Sequence, residues 1–179
     1  SSDDATWSGT PPALSDGSNT VYVRELDPAG NPSPSASITF TLDTTAPTVA
    51  MNDIALTNDP TPELTGTVAD TTATVVVTIG STDYPATNNG DGTWTLADDT
   101  VAALVEGSTT VTVTATDPAG NAGTDTGTVF VDSTAPNAPS VVLTNDSGSD
   151  GSDLITNDGS LTVTPDEAGN AIEYSSDDA

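Results

Sequence analysis

Short runs of alternating β-branched and small apolar residues constrain this chain most. Thr110-Val-Thr-Val-Thr-Ala-Thr116 and Thr74-Val-Val-Val-Thr-Ile79 are the clearest. Successive strand side chains point to opposite faces, so such a run buries one face and leaves a Thr-rich face in water. Gly, Asn, Asp and Pro clusters separate the runs, and no helical periodicity of useful length intervenes. The expected fold class is all-β.

In the middle of the chain the pattern predicts strands near 47–52, 61–68, 73–80, 82–87, 92–97, 109–116 and 124–131, at spacings that suit a sandwich. The expected inward residues are Leu64, Val68, Val75, Val77, Trp94, Leu96, Leu104, Val111, Val113, Val129 and Val131. Trp94 reads as a core anchor. Asn89-Gly90 and Asp91-Gly92 predict a tight hairpin turn ahead of it.

The chain holds 27 acidic residues against one basic residue, Arg24, for a formal charge of −26, and it has no His, Lys or Cys. Lys and His bases, thiol nucleophiles, disulfides and thiolate metal sites are therefore excluded. Nucleic acid and anionic lipid headgroups would be repelled. No apolar stretch approaches a membrane span and no signal peptide is visible, so no direct membrane insertion is expected. Missing cysteines suit a chain that crosses membranes unfolded.

Repetition organises the sequence. Asp27-Pro-Ala-Gly-Asn31 recurs 90 residues later as Asp117-Pro-Ala-Gly-Asn121, and Asp43-Thr-Thr-Ala-Pro47 recurs 89 residues later as Asp132-Ser-Thr-Ala-Pro136. Asn52-Asp53 with Thr57-Asn58-Asp59 matches Asn145-Asp146 with Thr156-Asn157-Asp158, the second copy carrying a six-residue insertion. Ser1-Ser-Asp-Asp-Ala5 returns as Ser175-Ser-Asp-Asp-Ala179. The simplest account is an internal piece of an array with a period of 174 residues, each period holding two modules. Residues 44–132 form a complete module B. Residues 1–43 are the C-terminal half of a split module A, and 133–179 the N-terminal half of its next copy. The two halves are expected at opposite ends of module B, pairing with neighbouring copies.

Tyr84-Pro-Ala-Thr-Asn-Asn-Gly-Asp-Gly-Thr-Trp-Thr-Leu96, Val111-Thr-Val-Thr-Ala-Thr-Asp-Pro-Ala-Gly-Asn121 and Asp132-Ser-Thr-Ala-Pro136 together resemble bacterial immunoglobulin-like extender repeats. These belong to giant repeats-in-toxin adhesins exported by type I secretion. The Leu143–Asp158 stretch, with Tyr174 running on to Trp7, is similar to a second subtype from the same adhesins. The resemblance implies tandem immunoglobulin-like Greek-key sandwiches, stacked end to end, with calcium at their junctions and a place on the bacterial cell surface.

The carboxylates point the same way. Head-to-tail stacking of immunoglobulin-like sandwiches brings together three elements: the last-hairpin loop of the following module, the linker, and the first loop of the preceding module. Asp27 and Asp117 fall at last-hairpin loops, and Asp43 and Asp132 open linkers. Asp53, Asp59, Asp146, Asp153 and Asp158 fall in or beside first loops. Converging carboxylates repel, and the chain lacks bases to neutralise them. A hard divalent cation with six to eight oxygen ligands, Ca2+, is the natural counterion. Zinc would lack its usual His or Cys, and magnesium prefers rigid octahedral geometry. Two junctions are expected: Asp53, Asp59 and Asp132 with Asp27 of the next period, and Asp43 and Asp117 with Asp146, Asp153 and Asp158 of the preceding one. The competing reading is that these Asp residues only cap turns. Asn31 and Asn121 read as turn stabilisers. Asp70, Asp83, Asp91, Asp98 and Asp99 read as solvated turn charges.

The expected function is a calcium-rigidified spacer projecting distal adhesive domains for attachment or biofilm formation. Its partners would be neighbouring repeats of the same polypeptide, with Pro47 and Pro136 stiffening the joints. No small-molecule substrate is expected. A glycan- or protein-binding module is the alternative, and clustered exposed aromatics would favour it. A two-carboxylate hydrolase, with Asp98-Asp99 or Asp3-Asp4 as its acids, has no pocket-forming helices or long loops to support it. Adaptation to salt would scatter acids, whereas these repeat at fixed positions.

Overall fold

The computed structural model describes residues 7–176, so Ser1–Ala5, with Asp3 and Asp4, and the end of the matching Ser175–Ala179 repeat lie outside the described residues. The chain divides into two compact units, Ser1–Ser133 and Thr134–Ala179. All regular elements among the described residues are strands.

The first unit opens with β1 (Gly17–Val23) and β2 (Ala36–Leu42), an antiparallel pair in register from Gly17↔Leu42 to Val23↔Ala36. Eight strands follow: β3 (Val49–Met51), β4 (Ile54–Thr57), β5 (Leu64–Val68), β6 (Thr74–Ile79), β7 (Thr82–Asn88), β8 (Thr93–Leu96), β9 (Gly107–Thr116) and β10 (Ala122–Val131). Their hydrogen-bonded order is β3-β5-β8-β7-β6-β9-β10-β4. The ribbon turns at β7, which pairs β6 along Thr82–Ala86 and β8 through Thr87 and Asn88. Strands on both sides of that turn share one core, giving a sandwich-like arrangement.

Ten of the eleven predicted inward residues are buried, joined by Val49, Ala73, Val101 and Ala115. Leu104 differs: it is half-buried and packs against the core from its edge. Trp94 anchors the interior, and its indole Nε1 donates to the Ala50 carbonyl at 2.9 Å. Gly66 of β5 permits this packing, because a Cβ there would lie 2.0 Å from that carbonyl and 2.6 Å from Nε1. The hairpin ahead of Trp94 forms as expected, with Gly90 and Gly92 both at positive φ and the Asn89 amide donating to the Thr93 carbonyl.

One predicted strand is shortened, and the strand after it was not predicted. In place of a single strand over 47–52, the chain makes β3 beside β5, then crosses at Asn52-Asp53 to form β4, parallel to β10. Asp53 fixes the crossing: its Oδ1 accepts the Thr128 amide of β10 at 2.7 Å. On the same strand Asp125 Oδ2 accepts the Met51 amide at 2.9 Å. Alternation alone carried no sign of this change of sheet, because both pieces expose one face.

In the second unit β11 (Ser140–Leu143) and β12 (Leu161–Thr164) pair antiparallel, from Ser140↔Thr164 to Leu143↔Leu161. The acidic loop 144–160 joins them.

Candidate functional site

The repeated Asp-Pro-Ala-Gly-Asn segments build the same loop twice. Asp117 Oδ1 accepts the Asn121 main-chain amide at 2.8 Å, and its Oδ2 accepts the Asn121 side-chain amide at 2.9 Å. Asp27 repeats both bonds with Asn31 at 2.8 Å and adds the Ala29 amide at 2.9 Å. Gly30 and Gly120 close the loops at positive φ. The Asn side-chain amide, then the main-chain amides, hold both carboxyls below the ordinary carboxylate value. Asp27 is exposed, whereas Asp117 is only 7 % exposed.

The linker accounts for that difference in role. Asn121 also donates its side-chain amide to the Asp43 carbonyl at 3.0 Å, tying the linker to the last-hairpin loop of module B. Gly123 lies beside the same linker, where a Cβ would meet the Pro47 carbonyl at 1.9 Å. Asp16 grips the linker from the other side. Its Oδ1 accepts the Thr44 hydroxyl at 2.7 Å and amide at 3.2 Å, and its Oδ2 accepts the Thr45 hydroxyl at 2.9 Å. The Thr44 and Thr45 hydroxyls lead in lowering the Asp16 pKa.

Asp16 was missed by sequence reasoning, although a signal was present. Asp16 immediately precedes β1, which opens on Gly17, as Glu106 precedes β9, which opens on Gly107, 90 residues later. Glu106 Oε1 accepts the Ser133 amide at 3.0 Å and the Ser133 hydroxyl. The residue after each linker Asp is thus held by an acid at the start of the last hairpin.

Of the predicted ligands, Asp43 and Asp117 are drawn together through Asn121, while the Asp43 carboxylate itself accepts the Thr45 amide at 3.0 Å. The Asp132 amide donates to the Thr57 carbonyl at 2.8 Å, two residues from Asp59. Asp53 is engaged by Thr128, and Asp27 only by its own loop. Asp98 and Asp99 are exposed turn residues, as read, and they also gather beside Asp59. Thr61 donates its hydroxyl to both Asp59 Oδ1, at 3.1 Å, and Asp99 Oδ1, at 2.8 Å. Desolvation, then the charges of Asp59 and Asp99, raise the Asp98 pKa. Residues some forty positions apart meet here only because β8 and β5 are paired.

In the second unit, Asp146 and Asp153 share one loop. Asp146 Oδ2 accepts the Leu154 amide at 3.1 Å, while its Oδ1 is buried with no hydrogen-bond partner among the described residues. Gly148 sits against neighbouring oxygens: a Cβ there would lie 2.6 Å from the Ile155 carbonyl and 3.6 Å from both the Asp150 carbonyl and Asp153 Oδ1. Asp158 closes the loop, its pKa lowered mainly by the Ser160 hydroxyl. Thr156 donates its hydroxyl to the Asn145 and Asp158 carbonyls. An orphaned carboxylate oxygen among oxygen donors suits a hard cation. Nevertheless, no three carboxylates among the described residues stand close enough to form a ligand cluster.

The Arg24 guanidinium carbon lies 4.1 Å from the centroid of the Trp7 ring, and Trp7 lines a groove with Pro11, Pro12 and Tyr22. No helix among the described residues is long and apolar enough to cross a membrane.

The chain is similar to a tetra-tandem repeat in the extending region of a large adhesion protein, at 30% identity over 75% of this chain and 36% of that one, with a TM-score of 0.47. It is similar to a 1.5-MDa bacterial ice-binding adhesin concerned with host cell surface retention, at 26% identity, 65% and 43% coverage and a TM-score of 0.31. A third similarity is to a Ca2+-stabilized adhesin with which an Antarctic bacterium reaches out and binds ice, at 22% identity, 65% and 32% coverage and a TM-score of 0.31. The chain thus spans less than half the length of each. No curated protein matches it. The family model described as bacterial Ig-like domain matches residues 1–44 and again residues 48–133. Those matches cover most of the sequence, and the chain belongs to the bacterial Ig-like domain family.

Proposed function

We propose that this chain is a structural extender repeat of a large bacterial cell-surface adhesin, and that Ca2+ stiffens its joints. The observation that carries the reading is the two-sided grip on the linker, by Asp16 behind and Asn121 ahead. A joint clamped this way loses bending freedom, which is what a spacer needs and an enzyme does not. The role is non-enzymatic. Its partners are the repeats before and after it, and its place is outside the cell, after type I secretion.

Calcium would enter where oxygens lack donors. Asp146 and Asp153 would supply ligands in the first loop of module A, with carbonyls of the same loop. Asp43, Asp117, Asp27, Asp53, Asp59, Asp132 and Asp158 stand at the remaining joint positions. Bound calcium would neutralise repulsion within a chain of net charge −26. Extracellular calcium modules bind at about 10⁻⁴–10⁻³ M. A nascent chain in calcium-poor cytosol would stay loose, then fold outside.

Small-angle scattering of a multi-period fragment, with calcium and with EGTA, tests the reading. Extender function predicts a longer maximum dimension and a narrower distance distribution with calcium. Superimposable profiles would sink it. The Trp7–Tyr22 groove favours a second reading as a glycan-binding module, which a glycan array probed with the tandem repeat would reveal.

A further inference from the structure

We propose that Asn89 is a deamidation site whose reactivity the fold of module B controls: inert in the folded hairpin, and converted to aspartate or isoaspartate when the hairpin opens. This rests neither on the extender reading nor on calcium.

Asn89-Gly90 is the only Asn-Gly pair in the sequence. Glycine makes such a pair reactive, because no Cβ keeps its main-chain nitrogen from approaching the asparagine side chain. In the reaction the Gly90 nitrogen bonds to Asn89 Cγ and gives up its proton. The Cγ–Nδ2 bond breaks, and the side-chain nitrogen leaves as ammonia. Water then opens the succinimide ring at either carbonyl, one opening leaving aspartate and the other isoaspartate. Asn89 is exposed at the tip between β7 and β8, so the water that completes the reaction is at hand.

The groups that must move are held. Asn89 Nδ2 donates to the Thr93 hydroxyl at 2.9 Å and to the Thr95 hydroxyl at 3.1 Å. The Asn89 main-chain amide donates to the Thr93 carbonyl at 3.0 Å. The nucleophile is engaged as well, since the Gly90 amide donates to Asn88 Oδ1 at 3.1 Å. Asn88 is itself half-buried and anchored, its Nδ2 donating to the Asp70 and Ala73 carbonyls, both at 2.9 Å. The attacking nitrogen and the leaving group are thus tied to different parts of the module. Ring closure requires both ties to break.

Conversion would weaken the hairpin. A carboxylate at position 89 accepts hydrogen bonds and cannot donate them. The Thr93 hydroxyl already donates to Asp91 Oδ1 at 2.6 Å, so it has no proton to offer in return. Isoaspartate would add a main-chain carbon just ahead of the strand that carries Trp94 into the core. A chain modified while unfolded would therefore fold into a less stable module B.

Mass spectrometry of the intact chain and its peptides tests this, after incubation in mildly alkaline buffer with and without guanidinium chloride. Asn89 should convert in the denatured chain and roughly tenfold or more slowly in the folded one, where reaction waits on opening of the hairpin. The other Asn residues, none followed by glycine, serve as internal standards. Thr95→Val and Asn88→Ala should each raise the folded-state rate and leave the denatured rate unchanged. Trp94 fluorescence reports whether each variant is folded, and if neither folds the wild-type comparison decides alone. Equal rates in the folded and denatured wild type would overturn the proposal. So would an Asn89 that stays intact in denaturant, or folded variants that both convert no faster than wild type.

Discussion

The side-chain amide of Asn121 reaches the Asp43 carbonyl at 3.0 Å while also donating to Asp117 Oδ2 at 2.9 Å. One residue thus holds the last-hairpin loop of module B and the linker entering that module. The contact depends on close approach: Gly123, two residues on, lies where a Cβ would meet the Pro47 carbonyl at 1.9 Å. Backbone on backbone cannot yield as a flexible side chain could. We therefore expect Gly123→Ala to push the linker away, and Asn121→Ala to release it without that clash. Faster amide relaxation at Thr44 and Thr45 in both variants would show this; unchanged relaxation in both would contradict it.

Stability should fall with acid in a way assignable to particular residues. Asp16, Asp27, Asp91, Asp117 and Asp158 have folded pKa values below the ordinary 3.8. Each contributes stability that is present above 3.8 and lost as pH falls through its lowered folded value. Asp98 has the opposite sign, since burial and then Asp59 raise its pKa. Its charge disfavours the folded state above that raised value, and protonation relieves the cost. Asp117→Asn should flatten the acid limb, while Asp98→Asn should stabilise at neutral pH and lose that gain in acid. Urea midpoints across the acid range measure both, and parallel curves for all three proteins would contradict the assignment.

Gly66→Ala should destabilise module B by about 1–3 kcal/mol, the usual cost of overpacking a filled core. The added methyl would strike the Ala50 carbonyl and the Trp94 indole, whose mutual hydrogen bond leaves no slack. Chemical denaturation followed by Trp94 fluorescence measures the loss. A stability within error of the parent would mean that the Trp94 pocket can expand.

Calcium should raise the thermal midpoint of the chain, by roughly 2.7 kcal/mol of added stability at a hundredfold excess over the dissociation constant. Asp146→Ala should remove part of the rise, because its Oδ1 is the buried oxygen without a donor. Isothermal titration should then count fewer ions per chain. An unchanged count would place the ions elsewhere.

Alternation and turn chemistry specified what is local. Seven of the eight strands of module B, all but β4, with the Asn89–Gly92 turn and ten of its core residues, were legible because burial on a strand leaves a period-two trace. The repeated loops were legible too, since Asp and Asn bond their own backbone within a few residues. Leu104 lies outside the strands, where no period applies, so its half-buried place could not be read.

Tertiary structure alone decided which distant residues meet. Asp53, read from the sequence as a ligand, also fixes the crossing from β3 to β4 through Thr128. Asp98 and Asp99 are surface charges, yet the pairing of β5 with β8 also sets them beside Asp59. Asp16 went unnoticed, yet it grips Thr44 and Thr45. The physical reason is common to all three. A carboxylate's role is set by the donors and charges within a few ångströms, and sheet pairing chooses those neighbours without regard to distance along the chain.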